Sequence, residues 1–143
     1  MDIFDPLRRK MVTLTPEEQV RQDTIIALNT EMGVPMSLMM SETAFRFNGL
    51  LYRADILVYD RSARPMMLVE CKAVEVALGE TVKDQVVRYN LALKLPYLMI
   101  TNGKTTYICE LDSGSGEYRF LRSLPQYDEM SARCGARRRP FSL

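Results

Sequence analysis

The chain has no histidine among its 143 residues. A Ser-His-Asp triad, a Cys-His dyad and an imidazole-ligated metal centre are therefore excluded, and any bound cation must be held by oxygen, which points to magnesium or manganese. Cysteine is scarce as well. Cys71, Cys109 and Cys134 show no CxxC spacing, and their odd number argues against a disulfide framework or a structural zinc. No apolar run approaches the roughly 20 residues needed to cross a bilayer. The opening Met1-Asp2-Ile3-Phe4-Asp5-Pro6 has early acids and a proline where a signal peptide has basic residues, so a cytoplasmic protein without membrane contact is expected. The net charge of +1 lacks the bulk basic signature of proteins that hold nucleic acid by charge alone.

What remains is an ordinary globular composition, 47% hydrophobic and 26% charged, in a chain long enough to bury a core without staples. One α/β unit is expected. A helix opens at Thr15-Pro16-Glu17-Glu18, with Thr15 as N-cap, Pro16 at the first helical position and Glu18 at the capping-box position; Gly33 and Pro35 end it near Glu31. After the methionine-rich Met36 to Met40, Asn48-Gly49 between apolar runs predicts a hairpin, and the polar Asp60 to Pro65 a second reversal. Three consecutive antiparallel strands result, the last ending at Lys72. A second helix is predicted from a Thr81 N-cap to a stop at Pro96, followed by a buried strand from Tyr97 to Thr101. A turn at Asn102-Gly103 leads to strands from Thr105 to Leu111 and from Tyr118 to Leu121. From Pro125 the periodicity fades into a short helix and a basic, mobile tail, which places the domain at residues 1–130 and the tail at 131–143.

Three charges sit at the ends of apolar strands. Glu70-Cys71-Lys72 closes Met66-Met67-Leu68-Val69, and Asp55 adjoins Ile56-Leu57-Val58-Tyr59. By strand alternation, Arg53, Asp55, Leu57 and Tyr59 share one side, as do Leu68, Glu70 and Lys72. If both sides turn the same way, Asp55 and Glu70 can hold a divalent cation, with the backbone carbonyl of Cys71 as a third ligand. The Lys72 ammonium could then orient or activate a water and offset charge developing on a phosphodiester. The competing reading is an ordinary ion-pair cluster of Glu70, Lys72, Asp55 and Arg53 on a solvated face.

Further polar residues flank this set. Gln85 and Tyr89, four apart on the second helix, could contact a scissile phosphate or orient Lys72; otherwise Tyr89 is core and Gln85 solvated. Glu17 has no capping duty and could hold metal-coordinated water or a second cation, or could simply favour the helix N-terminus. Arg8-Arg9-Lys10 and the late arginines Arg133, Arg137, Arg138 and Arg139 could meet phosphates, or be solvated termini.

Asp-x14-Glu-x-Lys resembles the core of the PD-(D/E)XK nuclease superfamily. Together with Phe4-Asp5-Pro6-Leu7, Leu14-Thr15-Pro16-Glu17-Glu18, Val20-Arg21-Gln22, Arg53-Ala54-Asp55-Ile56, Val69-Glu70-Cys71-Lys72-Ala73 and Gln85-x-x-x-Tyr89, the chain is similar, over roughly residues 3 to 128, to the N-terminal nuclease domain of type I restriction enzyme R subunits in a small version without motor domains. The resemblance implies a restriction-endonuclease-like αβββαβ core, with a mixed central sheet flanked by helices. It implies a magnesium-dependent (or manganese-dependent) deoxyribonuclease in restriction, defence or DNA repair, cutting internally more readily than from ends. Asp55 and Glu70 would be metal ligands, Lys72 catalytic, Gln85 and Tyr89 phosphate-proximal and Glu17 an accessory acid steadied by Arg21. DNA is the implied partner, with a second copy of the chain or separate helicase, translocase or methyltransferase subunits beside it. The sequence departs from full R subunits in having no GxxxxGK[ST], so translocation-coupled cleavage by this chain alone is excluded. A catalytically silent nucleic-acid or partner-binding module of the same fold is the alternative.

Overall fold

The computed structural model describes residues 1–47, 49–90 and 93–138. In chain order it has β1 (Asp2–Asp5), β2 (Lys10–Thr13), α1 (Pro16–Glu31), a 3-10 turn (Met36–Leu38), β3 (Met39–Phe47), β4 (Leu50–Tyr59), β5 (Pro65–Cys71), α2 (Glu80–Asn90), β6 (Tyr97–Thr101), β7 (Thr106–Leu111), β8 (Tyr118–Phe120) and α3 (Tyr127–Arg138). The stretch from α1 through β6 is the expected αβββαβ order, within an α/β architecture. One six-stranded sheet runs β3-β4-β5-β6-β7-β8, mixed because β5 and β6 are parallel while every other neighbouring pair is antiparallel. A parallel pair needs a crossover, and α2 supplies it.

The N-terminus of α1 follows its local chemistry. Thr15 is extended, and its hydroxyl accepts the Glu18 amide at 3.1 Å. Past the C-cap at Met32, Gly33 takes φ +74, a left-handed turn that few other residues tolerate. The start of α2 differs from expectation. The Lys83 amide donates to the Gly79 carbonyl at 3.0 Å, which places the cap at Gly79, two residues before Thr81.

The core lies on both faces of the central strands. Val20, Ile25 and Leu28 of α1 pack with Ile56, Val58, Met67, Val69 and Met99, while Leu57, Leu68, Leu98, Leu93 and Leu95 form the opposite layer. That double burial explains why β5 and β6 read as unbroken apolar runs. Each such fully buried side chain contributes roughly 1.5–3 kcal/mol.

Two elements depart from the expectations. The hairpin of β1 and β2 forms a separate two-stranded sheet. At the other end, α3 is a 12-residue helix that seals the α1 layer with Tyr127, Met130 and Cys134. Its Tyr127 hydroxyl donates to the Tyr59 carbonyl at 2.7 Å, and the Ser131 hydroxyl accepts the Arg61 amide at 3.0 Å. Residues 131–138, expected as the start of a tail, thus continue this helix, with Ser131 and Cys134 among its packed positions.

Candidate active site

The β4–β5 ladder ends at Ile56 opposite Val69, so the next level holds Asp55 and Glu70. On the other side of β4, Ser41 pairs with Ile56 and Thr43 with Ala54, which puts Glu42 opposite Asp55. Three acids therefore stand abreast on three neighbouring strands. Where the β4–β5 backbone pairing stops, the Asp55 side chain substitutes for it: Oδ2 accepts the Cys71 amide at 2.7 Å. The strands part around a cleft of about 260 Å³ lined by Glu42, Arg53, Ala54, Asp55, Leu68, Val69 and Glu70.

Simple alternation does not carry through this level. Met39, Ile56 and Val58 pack in the α1 layer, yet Phe45, Tyr52 and Ala54, which share their parity, join Leu57 and Leu68 in the other layer. The β3–β4 ribbon changes layer at Glu42 and Asp55. Asp55 and Leu57 consequently do not share an environment as the alternation predicted; Oδ1 of Asp55 meets Arg21 of α1.

Arg21 is the hub. It is 5% exposed, and its Nη2 reaches Glu42 at 2.7 Å, Asp55 at 3.1 Å and Glu17 at 3.3 Å, while Nη1 reaches Glu18 at 2.8 Å. Burial alone would lower its pKa; the hydrogen bonds to Asp55 and Glu18 overcome that and raise it. Arg21 is therefore a permanent cation.

Glu70 lies on the other flank. Burial pushes its pKa up, and the nearby charges of Asp55 and Glu17 push the same way, against the Lys72 ammonium 3.7 Å from Oε2. Lys72 is anchored through its own amide, which donates to the Thr101 carbonyl at 2.8 Å. The Cys71 thiol is buried and its pKa is pushed up to about 12, so this residue can offer a cation its carbonyl but not a thiolate.

Glu17, Asp55, Glu70, Cys71 and Lys72 are thus brought to one place. Glu18 is not turned back to its cap; its buried carboxylate binds Arg8 at 2.6 Å, Arg21 at 2.8 Å and Gln22 at 3.2 Å. Arg8 is correspondingly spent inside, on Asp5 and Glu18, and is a poor phosphate ligand, whereas Arg9 and Lys10 are exposed. Gln85 and Tyr89 fall on α2, but their side chains, like those of Arg137 and Arg138, lie outside the described residues, as does Arg139 entirely. Glu42 was not anticipated. It lies between the methionine-rich connection ending at Met40 and the apolar run Ala44 to Phe47, where no motif or periodicity marks it.

Among the described residues, no three Asp, Glu, Cys or His side chains converge to enclose a metal ion. Magnesium does not require that: it keeps several waters and is commonly held by one or two carboxylates together with substrate phosphates. Asp55 and Glu70, with Glu17 and Glu42 adding negative charge, fit such a site, where burial first and the neighbouring acids second raise the pKa of Glu70.

Residues 16–125 match the family model described as Type I restriction enzyme R protein N terminus (HSDR_N). The chain belongs to this family. The match contains Glu17, Asp55, Glu70, Lys72, Gln85 and Tyr89 and leaves both basic clusters outside. Among solved structures, a fragment assigned as an HsdR subunit of a type I restriction enzyme from Vibrio vulnificus YJ016 is 27% identical with a TM-score of 0.57, over 85% of this chain and 26% of that one. The chain thus spans about a quarter of that fragment. A protein of family DUF820 from Anabaena variabilis ATCC 29413, assigned as a nuclease, is 10% identical with a TM-score of 0.49, over 86% of each chain. No curated protein matches significantly.

Proposed function

We propose that this type I restriction R-protein N-terminal domain is a magnesium-dependent deoxyribonuclease that cuts phosphodiester bonds internally. The observation that carries this reading is the meeting of Asp55 and Glu70 at the level where β4 and β5 part, with the Lys72 ammonium 3.7 Å from Glu70. Asp55 and Glu70, with the Cys71 carbonyl, would hold the cation, and Glu17 would take an accessory place. What a divalent cation supplies in such a site is charge against the phosphate oxygens and a more acidic water. The chain supplies the rest. The Cys71 amide fixes one oxygen of Asp55. Lys72 offsets the charge that develops on the phosphodiester. Gln85 and Tyr89 on α2 would face the phosphate, and the exposed Arg9 and Lys10 offer charge to flanking phosphates. DNA is the substrate in this reading, with a homodimer or separate translocase and methyltransferase subunits as partners in restriction.

Plasmid and linear DNA incubated with the protein and Mg²⁺ or Mn²⁺ test this. Cutting is expected to fall by about 100-fold or more in Glu70→Ala and Lys72→Ala, the scale of losing one transition-state electrostatic group. Equal cutting by wild type and both variants would refute it.

One observation favours a second reading, a silent binding module: both oxygens of Asp55 already have partners, Arg21 and the Cys71 amide. DNA binding with steep salt dependence and no product would support that module.

A further inference from the structure

Glu42 belongs to no motif in the sequence, yet of the three carboxylates on Arg21 Nη2 it makes the shortest contact, 2.7 Å against 3.1 Å for Asp55 and 3.3 Å for Glu17. Its backbone is left-handed at φ +47, a conformation uncommon outside glycine, and the β3–β4 pairing skips it while continuing in the same register on either side. The unusual backbone places an acid directly across from Asp55. Arg21, for its part, is held by its outer nitrogens only: Nε is buried and has no hydrogen-bond partner among the described residues. A guanidinium fixed at one end by Glu18 and divided at the other among three acids can shift its contact from one acid to another without unfolding anything.

We infer that Glu42 is a positioning residue: by drawing Arg21 toward itself, it sets how far Asp55 is open to a divalent cation. This rests on the metal reading given above. Oδ2 of Asp55 is taken by the Cys71 amide, so Oδ1 is the oxygen whose freedom Arg21 decides. With Glu42 present, the Nη2 protons have a closer acceptor than Asp55, and a cation arriving at Asp55 displaces a contact that Glu42 can absorb. Without the Glu42 charge, the guanidinium settles on Asp55 and competes directly with the cation. The exposed Arg53, 3.9 Å from Glu42, is too distant and too solvated to take over that role.

The test is calorimetric titration with Mn²⁺ alone, joined to NMR of the arginine side chains in metal-free protein. Glu42→Gln is expected to weaken Mn²⁺ binding about ten-fold, the scale of one charge-assisted hydrogen bond, and to move the Arg21 side-chain signal before any metal is added. Because Glu42 is solvent-accessible, this variant should fold. In an Arg21→Lys background the same substitution should have a much smaller effect. An unmoved Arg21 signal or an unchanged affinity overturns the inference. So does an equal loss in both backgrounds, which would mean that Glu42 touches the cation itself. Should Arg21→Lys not fold, the metal-free spectrum of Glu42→Gln decides. If wild type fails to bind Mn²⁺, or Glu70→Ala binds it equally well, the metal reading itself falls and takes this inference with it; a binding wild type that is indifferent to Glu42→Gln removes the inference alone.

Discussion

Glu70 is charged at a position where burial and two neighbouring acids oppose the charge, and Lys72 only partly compensates. The folded protein therefore holds the Glu70 proton more tightly than the unfolded chain does. By linkage, the stability tied to that proton is fully present below the ordinary carboxylate pKa and is lost as pH rises through the raised one. Metal-free Glu70→Gln should accordingly melt above wild type at about pH 8, and the difference should vanish toward about pH 4, as thermal unfolding followed by circular dichroism would show. A constant difference across that range would contradict the assignment. Added magnesium should raise the melting temperature of wild type and leave the variant unchanged. The grouping of Asp55, Glu70 and Lys72 was legible because charges beside the apolar runs Ile56 to Tyr59 and Met66 to Val69 stand out. Glu42 was not, because what recruits it is a left-handed backbone and a change of sheet layer, neither of which leaves a periodic mark.

At the scale of elements, the hairpin of β1 and β2 is joined to α1 through Arg8, which bridges the fully buried Asp5 and the buried Glu18. Burial raises the pKa of both acids, but hydrogen bonds from Arg8, reinforced by Ser41 at Asp5 and by Gln22 and Arg21 at Glu18, hold them below the usual carboxylate range. Their contribution is therefore present above that range and lost as pH falls through the lowered values. Arg8→Ala leaves two buried acids short of a partner and should cost about 2 kcal/mol in urea unfolding at neutral pH, with the cost shrinking in acid. The capped start of α1 and the hairpin pairings of β3 with β4 and of β6 with β7 could be read from the sequence. The N-terminal hairpin could not, since its strands have four residues each and bury Asp5 while leaving Phe4 and Met11 exposed, so hydropathy does not mark a face. In α3 the buried positions Tyr127, Met130 and Cys134 do keep helical spacing, but a stripe with so little apolar surface, interrupted by Gly135 and arginines, resembles a loop.

Over the whole molecule, the αβββαβ order was legible because each strand and helix carries its own boundary signals, and the parallel pairing of β5 with β6 follows from the helix placed between them. That pairing sets a sequence of events in folding. Phe47 finds Leu50 and Ile56 finds Val69 across short turns, whereas Met67 must wait for Tyr97 across the whole of α2. Closing the longer loop costs more entropy, so β3, β4 and β5 are expected to gain protected amides no later than β6 in pulse-labelled hydrogen exchange. Protection of β6 first would refute this order. The acids Glu42, Asp55 and Glu70 would then gather while β5 is still an uncovered edge, its methionines open to any other strand that reaches them. Until α2 brings β6 alongside, the half-built centre and an edge open to aggregation are the same piece of structure.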